Sequence, residues 1–393
     1  MWGRAGQAFR QAPKPKPKPK PKPKLNLKPS LSQGRPPDGT PSRPTGDKGA
    51  GGGADADSDS SVASASASAS ASASASASAS TRGGRLRRGL LALLVTGAVV
   101  VPVAAAAAHP EIPAPAPARV GTVTAATLDR AYAANRANAA EASRMAAAHG
   151  DHGRASAVRT MADPSRHYLS FDARGPGRAV EVLGDLAQAD RVAVLVPGSD
   201  TSLDTYERFR AGALALHRKL GTRAAVVAWL GYETPGTISP DVLTTTRAEQ
   251  AAPGLHAFTA RLRALNAQVR ITLLCHSYGT AVGARAANGR GVTDLVLFGS
   301  PGTGAGSAAD LRTKARVWAG RGADDWIADV PHARAGLFGT TVGFGTDPVS
   351  EAFGARVFAA GDGGHSDYFE PGSVSLANLA RIVLSRTSEV TRA

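Results

Sequence analysis

Continuous runs of β-branched and aliphatic residues, separated by stretches of helical period, fill the second half of the chain. Val192–Val196, Ala224–Trp229, Ile271–Leu274, Leu295–Phe298, Ala315–Ala319 and Arg356–Ala359 are apolar without alternation. Strands of that kind are buried on both faces. Between them, Tyr206–Lys219, Ala251–Leu265 and Thr280–Ala287 carry apolar residues at helical spacing. The alternation predicts an α/β fold with a mostly parallel sheet covered on both faces. Ahead of it, Tyr168–Asp172 and Ala179–Leu183 alternate apolar and polar around Gly175-Pro176-Gly177, which predicts an opening hairpin. An Ala-rich pattern from Thr124 to Ala148, stopped by Gly150, predicts a helix, and a second short helix runs to Asp163-Pro164.

The first half reads differently. Pro-Lys repeats six times from Pro13 to Lys24, and nine Ala-Ser repeats occupy residues 63–80. Alternating proline favours an extended polyproline II rod, and Ala-Ser repeats have no side chain large enough to offset the entropy of ordering. Residues 1–88 are therefore expected to be a disordered, low-complexity tail. They hold 16 Lys+Arg against 5 Asp+Glu, so they carry +11 of the net +15 and leave +4 to the rest. Once the tail is set aside, the basic pI indicates no specific nucleic-acid binder. A nucleic-acid role resting on the tail would show steep salt dependence lost on its removal.

Arg85-Leu-Arg-Arg88 then leads into an apolar run over 89–108, broken at Pro102 and ending in small residues before His109. A basic flank, a short apolar core and a small-residue exit form the pattern of a secretory signal; the length equally suits a transmembrane anchor. Either one places the folded part outside the cytoplasm, secreted or anchored to the cell membrane, with membrane contact through 89–108 if that run is retained. Val62 offers an alternative start that leaves only a short basic region ahead of the apolar core. A Pro/Ala linker follows over 109–123, then the helical segment 124–165 and the α/β domain 166–393.

Functional residues in such a sheet gather where strand ends meet loops. The strand Ile271–Leu274 runs into Cys275-His276-Ser277-Tyr278-Gly279, followed by a helix. That is a Gly-x-Ser-x-Gly turn with cysteine in place of the first glycine, a turn that exposes a serine oxygen. A serine nucleophile needs a base, and the base needs an acid to hold its tautomer. In this topology they follow in the order Ser, acid, His. Asp324-Asp325-Trp326-Ile327 follows the strand Ala315–Ala319, and Gly363-Gly364-His365 follows Arg356–Ala359. Ser277, Asp325 and His365 are thus the candidate triad. Asp325 is preferred because Asp-Trp-Ile resembles the usual Asp-x-hydrophobic turn, with Asp324 as the alternative acid. His332 is a weaker alternative base, His276 is expected to pack, and His217 and His256 fall on helix surfaces. The backbone N–H groups of Ser199 and Tyr278 are the candidate oxyanion donors, and Asp200 and Thr201 are placed at the pocket entrance.

Other signals lead away from this site. His149-Gly-Asp-His152 has a helix-breaking glycine between its histidines and no third ligand nearby, so no metal is expected. Gly302-x-Gly304-x-Gly306 has the wrong spacing for a dinucleotide loop, and Pro301 stands at its mouth. Cys275, the single cysteine, is placed toward the core. No cofactor is required by the chemistry. The segment from Tyr232 to Pro253, polar and Thr-rich, is a candidate lid.

These residues resemble the actinobacterial α/β-hydrolase family labelled DUF1023, over about Val192–Ser385. The resemblance rests on Val196-Pro197-Gly198, Trp229-Leu-Gly-Tyr232-x-x-Pro235, His276-Ser-Tyr-Gly279 and Gly299-Ser-Pro-Gly302. It continues in Gly345-x-Asp347-Pro348, Phe353-Gly-Ala355 and Gly364-His-Ser-x-Tyr-Phe369, while Glu233-Thr234 departs from the Asp-Ala the family carries there. The resemblance implies a serine-hydrolase fold and supplies no substrate. Together these readings predict an exported serine hydrolase acting on a small-molecule or lipid-like acyl substrate, an ester, thioester or amide, through an acyl-enzyme. The alternative is a non-catalytic envelope protein that uses the same fold for binding.

Overall fold

The computed structural model describes residues 112–289, 291–332, 335–337 and 340–393. The expectations for the tail, for the apolar run 89–108 and for the alternative start lie outside the described residues. Among the described residues no helix is long and apolar enough to cross a membrane.

Two helices, α1 (Leu128–Ala148) and α2 (His152–Met161), precede the sheet. Asp151 accepts a hydrogen bond from the Arg154 N–H at 2.8 Å and so caps α2, which is the work of the acid between His149 and His152. Strands β1 (His167–Asp172) and β2 (Arg178–Leu183) form the antiparallel hairpin around the Gly-Pro-Gly turn. The helical segment is built into the body rather than appended to it. Asn135 donates to the Tyr168 carbonyl at 3.0 Å. Arg166, just before β1, makes two hydrogen bonds to the buried Glu181 of β2, at 2.5 and 2.9 Å.

The remaining strands are β3 (Arg191–Val196), β4 (Ala224–Leu230), β5 (Arg270–His276), β6 (Val292–Phe298), β7 (Arg316–Gly320), a separate β8–β9 hairpin (Ala335–Leu337, Thr340–Val342) and β10 (Arg356–Val357). The main sheet has the order β1-β2-β4-β3-β5-β6-β7-β10. From β4 to β10 all neighbours are parallel. Alternate residues of each strand feed two cores, one on each face. In β3, Val192, Val194 and Val196 join one core while Ala193 and Leu195 join the other. Helices α4 (Thr246–Leu265) and α5 (Gly279–Ala286) cover the first face; α3 (Tyr206–Leu220) and α6 (Val374–Val383) cover the second.

Several features differ from those read in the sequence. The last strand is two residues long instead of four, because Phe358 bridges antiparallel to Arg392 and Ala359 N–H donates to the Thr391 carbonyl at 2.9 Å. Helix α4 begins at Thr246 rather than Ala251 and contains Pro253 at the start of its third turn. Its buried Ala248, Ala251 and Ala252 pack on the core, so the last eight residues of the expected lid are helix instead. His217 is half-buried, set so close to Gly184 that a Cβ there would stand 2.8 Å from its ring.

Candidate active site

Ser277 sits between β5 and α5 with φ at +53°, the left-handed region that a side-chain-bearing residue rarely adopts. The turn is held because its neighbours are small where backbones meet. A Cβ on Gly279 would stand 2.4 Å from the Pro197 carbonyl oxygen, and one on Gly198 would stand 2.6 Å from Ser277 Cβ. Cys275 tolerates its place at the head of the motif because its side chain turns into the core under Gly283, where a Cβ would lie 2.1 Å from the sulfur. Burial pushes the Cys275 thiol well up, so the sulfur stays protonated and is no nucleophile.

Three loops at the strand ends bring Ser277, His365 and Asp325 into one row. Ser277 Oγ lies 3.0 Å from His365 Nε2, and His365 Nδ1 lies 2.8 Å from Asp325 Oδ1. With Nδ1–H donating to the carboxylate, Nε2 is left to accept the serine proton. Asp325 is 2% exposed, and its carboxylate also accepts the Ile327 N–H at 2.9 Å and the Tyr368 hydroxyl at 2.5 Å. Burial alone raises the pKa of such a group; the hydrogen bonds from His365, Tyr368 and Ile327 outweigh it and hold Asp325 below its ordinary value. Asp324, the alternative acid, is exposed and makes no hydrogen bond to His365, because the turn that buries Asp325 points its neighbour to solvent. His332 is also not brought to the serine: its Nδ1 meets the Pro301 carbonyl at 3.0 Å, and its Nε2 lies 3.6 Å from Asp347.

Two supporting side chains were not assigned these roles from the sequence. Tyr368 is buried, accepts the Gly322 N–H at 3.1 Å and donates to Asp325, so it ties the acid loop to the histidine loop. Those loops touch backbone to backbone, since a Cβ on Gly322 would fall 1.9 Å from the Gly363 carbonyl oxygen. The only sequence signal for Tyr368 is its place in the Gly-His-Ser-x-Tyr motif. His276 does more than pack on Phe298: its Nε2 lies 2.8 Å from the His365 carbonyl oxygen and fixes the backbone that carries the base. Burial first, and the neighbouring His365 second, pull its pKa down to about 3, so it is a neutral donor.

Ser199 follows β3 and Gly198, whose backbone meets Ser277, and lines the cavity. Neither its N–H nor that of Tyr278 is spent on a backbone carbonyl. The next residue, Asp200, is the strained one, with φ at +56°. Its carboxylate accepts the Thr237 N–H at 3.0 Å and the Thr237 hydroxyl, and its own N–H donates to the Pro235 carbonyl at 3.1 Å. Thr234 Oγ1 accepts the Thr201 N–H at 3.1 Å and donates to the Thr201 carbonyl at 2.9 Å. The segment expected to be a lid is thus stapled along 234–237 to the loop that carries Ser199.

A cavity of about 790 Å³ opens on Ser277, and Asp200 and Thr201 line it as expected. The Gly302–Gly304 loop serves packing: a Cβ on Gly302 would lie 2.5 Å from the Phe344 carbonyl oxygen, and Gly304 N–H donates to that oxygen at 2.7 Å.

Residues 172–335 match the sequence profile of a family described as alpha/beta hydrolase. An uncharacterized protein of Mycobacterium tuberculosis is 31% identical over 261 residues, a stretch covering 56% of this chain and 39% of the relative. Another, from Mycobacterium bovis, is 35% identical over 144 residues, covering 33% of this chain and 54% of the relative. The chain therefore spans about half or less of these relatives' length. Among solved structures, a Xanthomonas campestris protein described as an a/b serine hydrolase without lid is 19% identical with a TM-score of 0.38, covering 57% of this chain and 95% of that one. The sheet order and the strained serine elbow are those of the α/β-hydrolase fold, and within it residues 172–335 match the alpha/beta hydrolase family profile.

Proposed function

We propose that this protein is a serine hydrolase that cleaves a carboxylic ester, thioester or amide through an acyl-enzyme. The single observation that carries the reading is the unbroken hydrogen-bonded row from Ser277 through His365 to Asp325. In the proposed reaction Ser277 Oγ attacks the carbonyl carbon while its proton passes to His365 Nε2. Asp325, ionised and held by Tyr368 and the Ile327 N–H, stabilises the imidazolium that forms. The oxyanion is held by the Ser199 and Tyr278 N–H groups, each worth about 3 kcal/mol in transition-state stabilisation. Collapse breaks the bond to the leaving group, which departs with the proton from Nε2. Water, deprotonated by the same nitrogen, then releases the acid and restores Ser277. Every step uses groups of this chain, and the reading needs no cofactor.

The apolar run 89–108 supports export, so the reaction is placed outside the cytoplasm, on a small-molecule or lipid-like acyl substrate. The test is labelling of the full chain by a fluorophosphonate, beside Ser277→Ala and His365→Ala. Labelling of the wild type that vanishes in both variants is the expected result. A folded wild type that takes no label refutes the nucleophile and leaves the fold to a binding role.

A further inference from the structure

Single apolar side chains scattered over a surface are ordinary; several gathered at one opening are not. Among the described residues four large apolar side chains are exposed: Ile238, Leu243, Trp326 and Val374, at 77%, 45%, 51% and 45%. Leu243 and Trp326 line the cavity that contains Ser277, and Ile238 follows Thr237, which lines it too. Val374, the first residue of α6, is not part of that lining. Local bonds hold the first three at the opening. Asp200, also in the lining, accepts the Thr237 N–H at 3.0 Å and so fixes the residue before Ile238. The Leu243 carbonyl accepts the Gly343 N–H at 2.9 Å. Trp326 stands exposed between the buried Asp325 and Ile327, its ring 4.6 Å from that of His365.

Whatever seats stably on these three side chains covers the opening to Ser277. A folded protein there would shut the substrate out, whereas a lipid surface covers the opening and supplies a substrate through it. That step rests on Ser277 being the nucleophile. Charge narrows the kind of surface. Arg247, the cation next to Leu243, is occupied by Glu233 and Asp241 at 3.1 and 3.0 Å. The exposed charges beside Trp326 are Asp324 and Asp329. In the cavity lining itself, Arg208 and Arg218 are balanced by Asp200 and Glu370. Nothing in this arrangement favours an anionic surface over a neutral one.

We propose that Ile238, Leu243 and Trp326 form a rim that docks on a lipid surface of no net charge, from which the substrate enters the cavity. Ile238 has the most to gain from leaving water, about tenfold in partition for a side chain of its size.

The experiment measures tryptophan fluorescence of the full chain with phosphatidylcholine vesicles whose acyl chains carry bromine, a contact quencher. Trp229 and Trp318 are buried, and Trp2 is common to every variant. The expected result is quenching in the wild type that exceeds quenching in Trp326→Phe. At the lipid concentration that half-quenches Trp326 in the wild type, Ile238→Ser cuts that quenching about fivefold, while Val374→Ser leaves it unchanged. Equal quenching in the wild type and Trp326→Phe overturns the docking surface, and so does an equal loss in the Ile238 and Val374 variants. A dimer of the lipid-free wild type that Ile238→Ser returns to monomer overturns the lipid in favour of a second copy of the chain. Quenching without fluorophosphonate labelling of the wild type overturns the nucleophile, and with it the delivery of substrate through the rim. Labelling without quenching overturns the docking and still supports the nucleophile.

Discussion

Asp200 offers the sharpest test of how the proposed oxyanion donors are held. Its φ of +56° costs a residue with a Cβ on the order of 1 kcal/mol, and that strain turns the peptide that follows Ser199. The carboxylate keeps the turn in place through the Thr237 N–H and hydroxyl. Asp200→Gly removes both hydrogen bonds and the strain together, so the loop relaxes and the Ser199 N–H loses its fixed direction. Asp200→Asn keeps an acceptor for the Thr237 N–H and a residue type that tolerates positive φ. Removing an oxyanion donor outright costs about 3 kcal/mol. The two bonds to Thr237 are exposed and worth about 1 kcal/mol each after solvent screening. Asp200→Gly is therefore expected to lose about 1–2 kcal/mol of transition-state stabilisation, roughly 5- to 30-fold in kcat, with KM little changed because the ground-state carbonyl leans less on those donors. Asp200→Asn should stay within a factor of about 3. Steady-state kinetics on a short ester, with thermal unfolding alongside, separates the cases. If Asp200→Gly unfolds earlier but keeps its kcat, the residue is only a loop staple; if Asn falls as far as Gly, the carboxylate is acting by charge. Either result refutes the positioning argument.

The other predictions concern the groups behind His365. Asp325→Asn should lower kcat by on the order of 10³- to 10⁴-fold by allowing the wrong imidazole tautomer, while Asp324→Asn, exposed and unconnected, should stay within a factor of about 3; titration against an ester decides between them. Tyr368→Phe strips a donor from the buried carboxylate and leaves the Gly322 N–H without its acceptor, a loss of about 1.5–3 kcal/mol to be read in both kcat and the unfolding midpoint. His276 has a folded pKa drawn down to about 3 from an ordinary 6.5, so its contribution is complete above pH 6.5 and drains away as pH falls toward 3. About 2 kcal/mol of stability should be missing at pH 5 relative to pH 8, and His276→Asn should flatten that slope in urea titrations.

What the sequence made legible and what it did not divide along the distance over which the deciding forces act. The strands were readable because being buried on both faces demands an unbroken apolar run, and β3, β4 and β5 each satisfy that demand within one short stretch. Ser277 was readable because a strained turn between a strand and a helix restricts its immediate neighbours, and the cysteine at its head fits once Gly283 clears room for the sulfur. The truncation of β10 was not readable: the bond that replaces its last pair comes from Thr391, more than thirty residues along the chain. The early start of α4 was hidden by Pro253, which suits the first turn of a helix beginning at Ala251, although the buried Ala248 and Ala251 stabilise turns that begin earlier. Tyr368 and His276 show the limit most clearly. Each acts on a partner on another loop, so nothing in the spacing of its own loop fixes whether its polar atom is turned to Asp325, to the His365 carbonyl or to water. Local pattern specifies which serine is presented at the elbow; only the packing of three separate strand ends specifies what holds His365 and Asp325 in line with it.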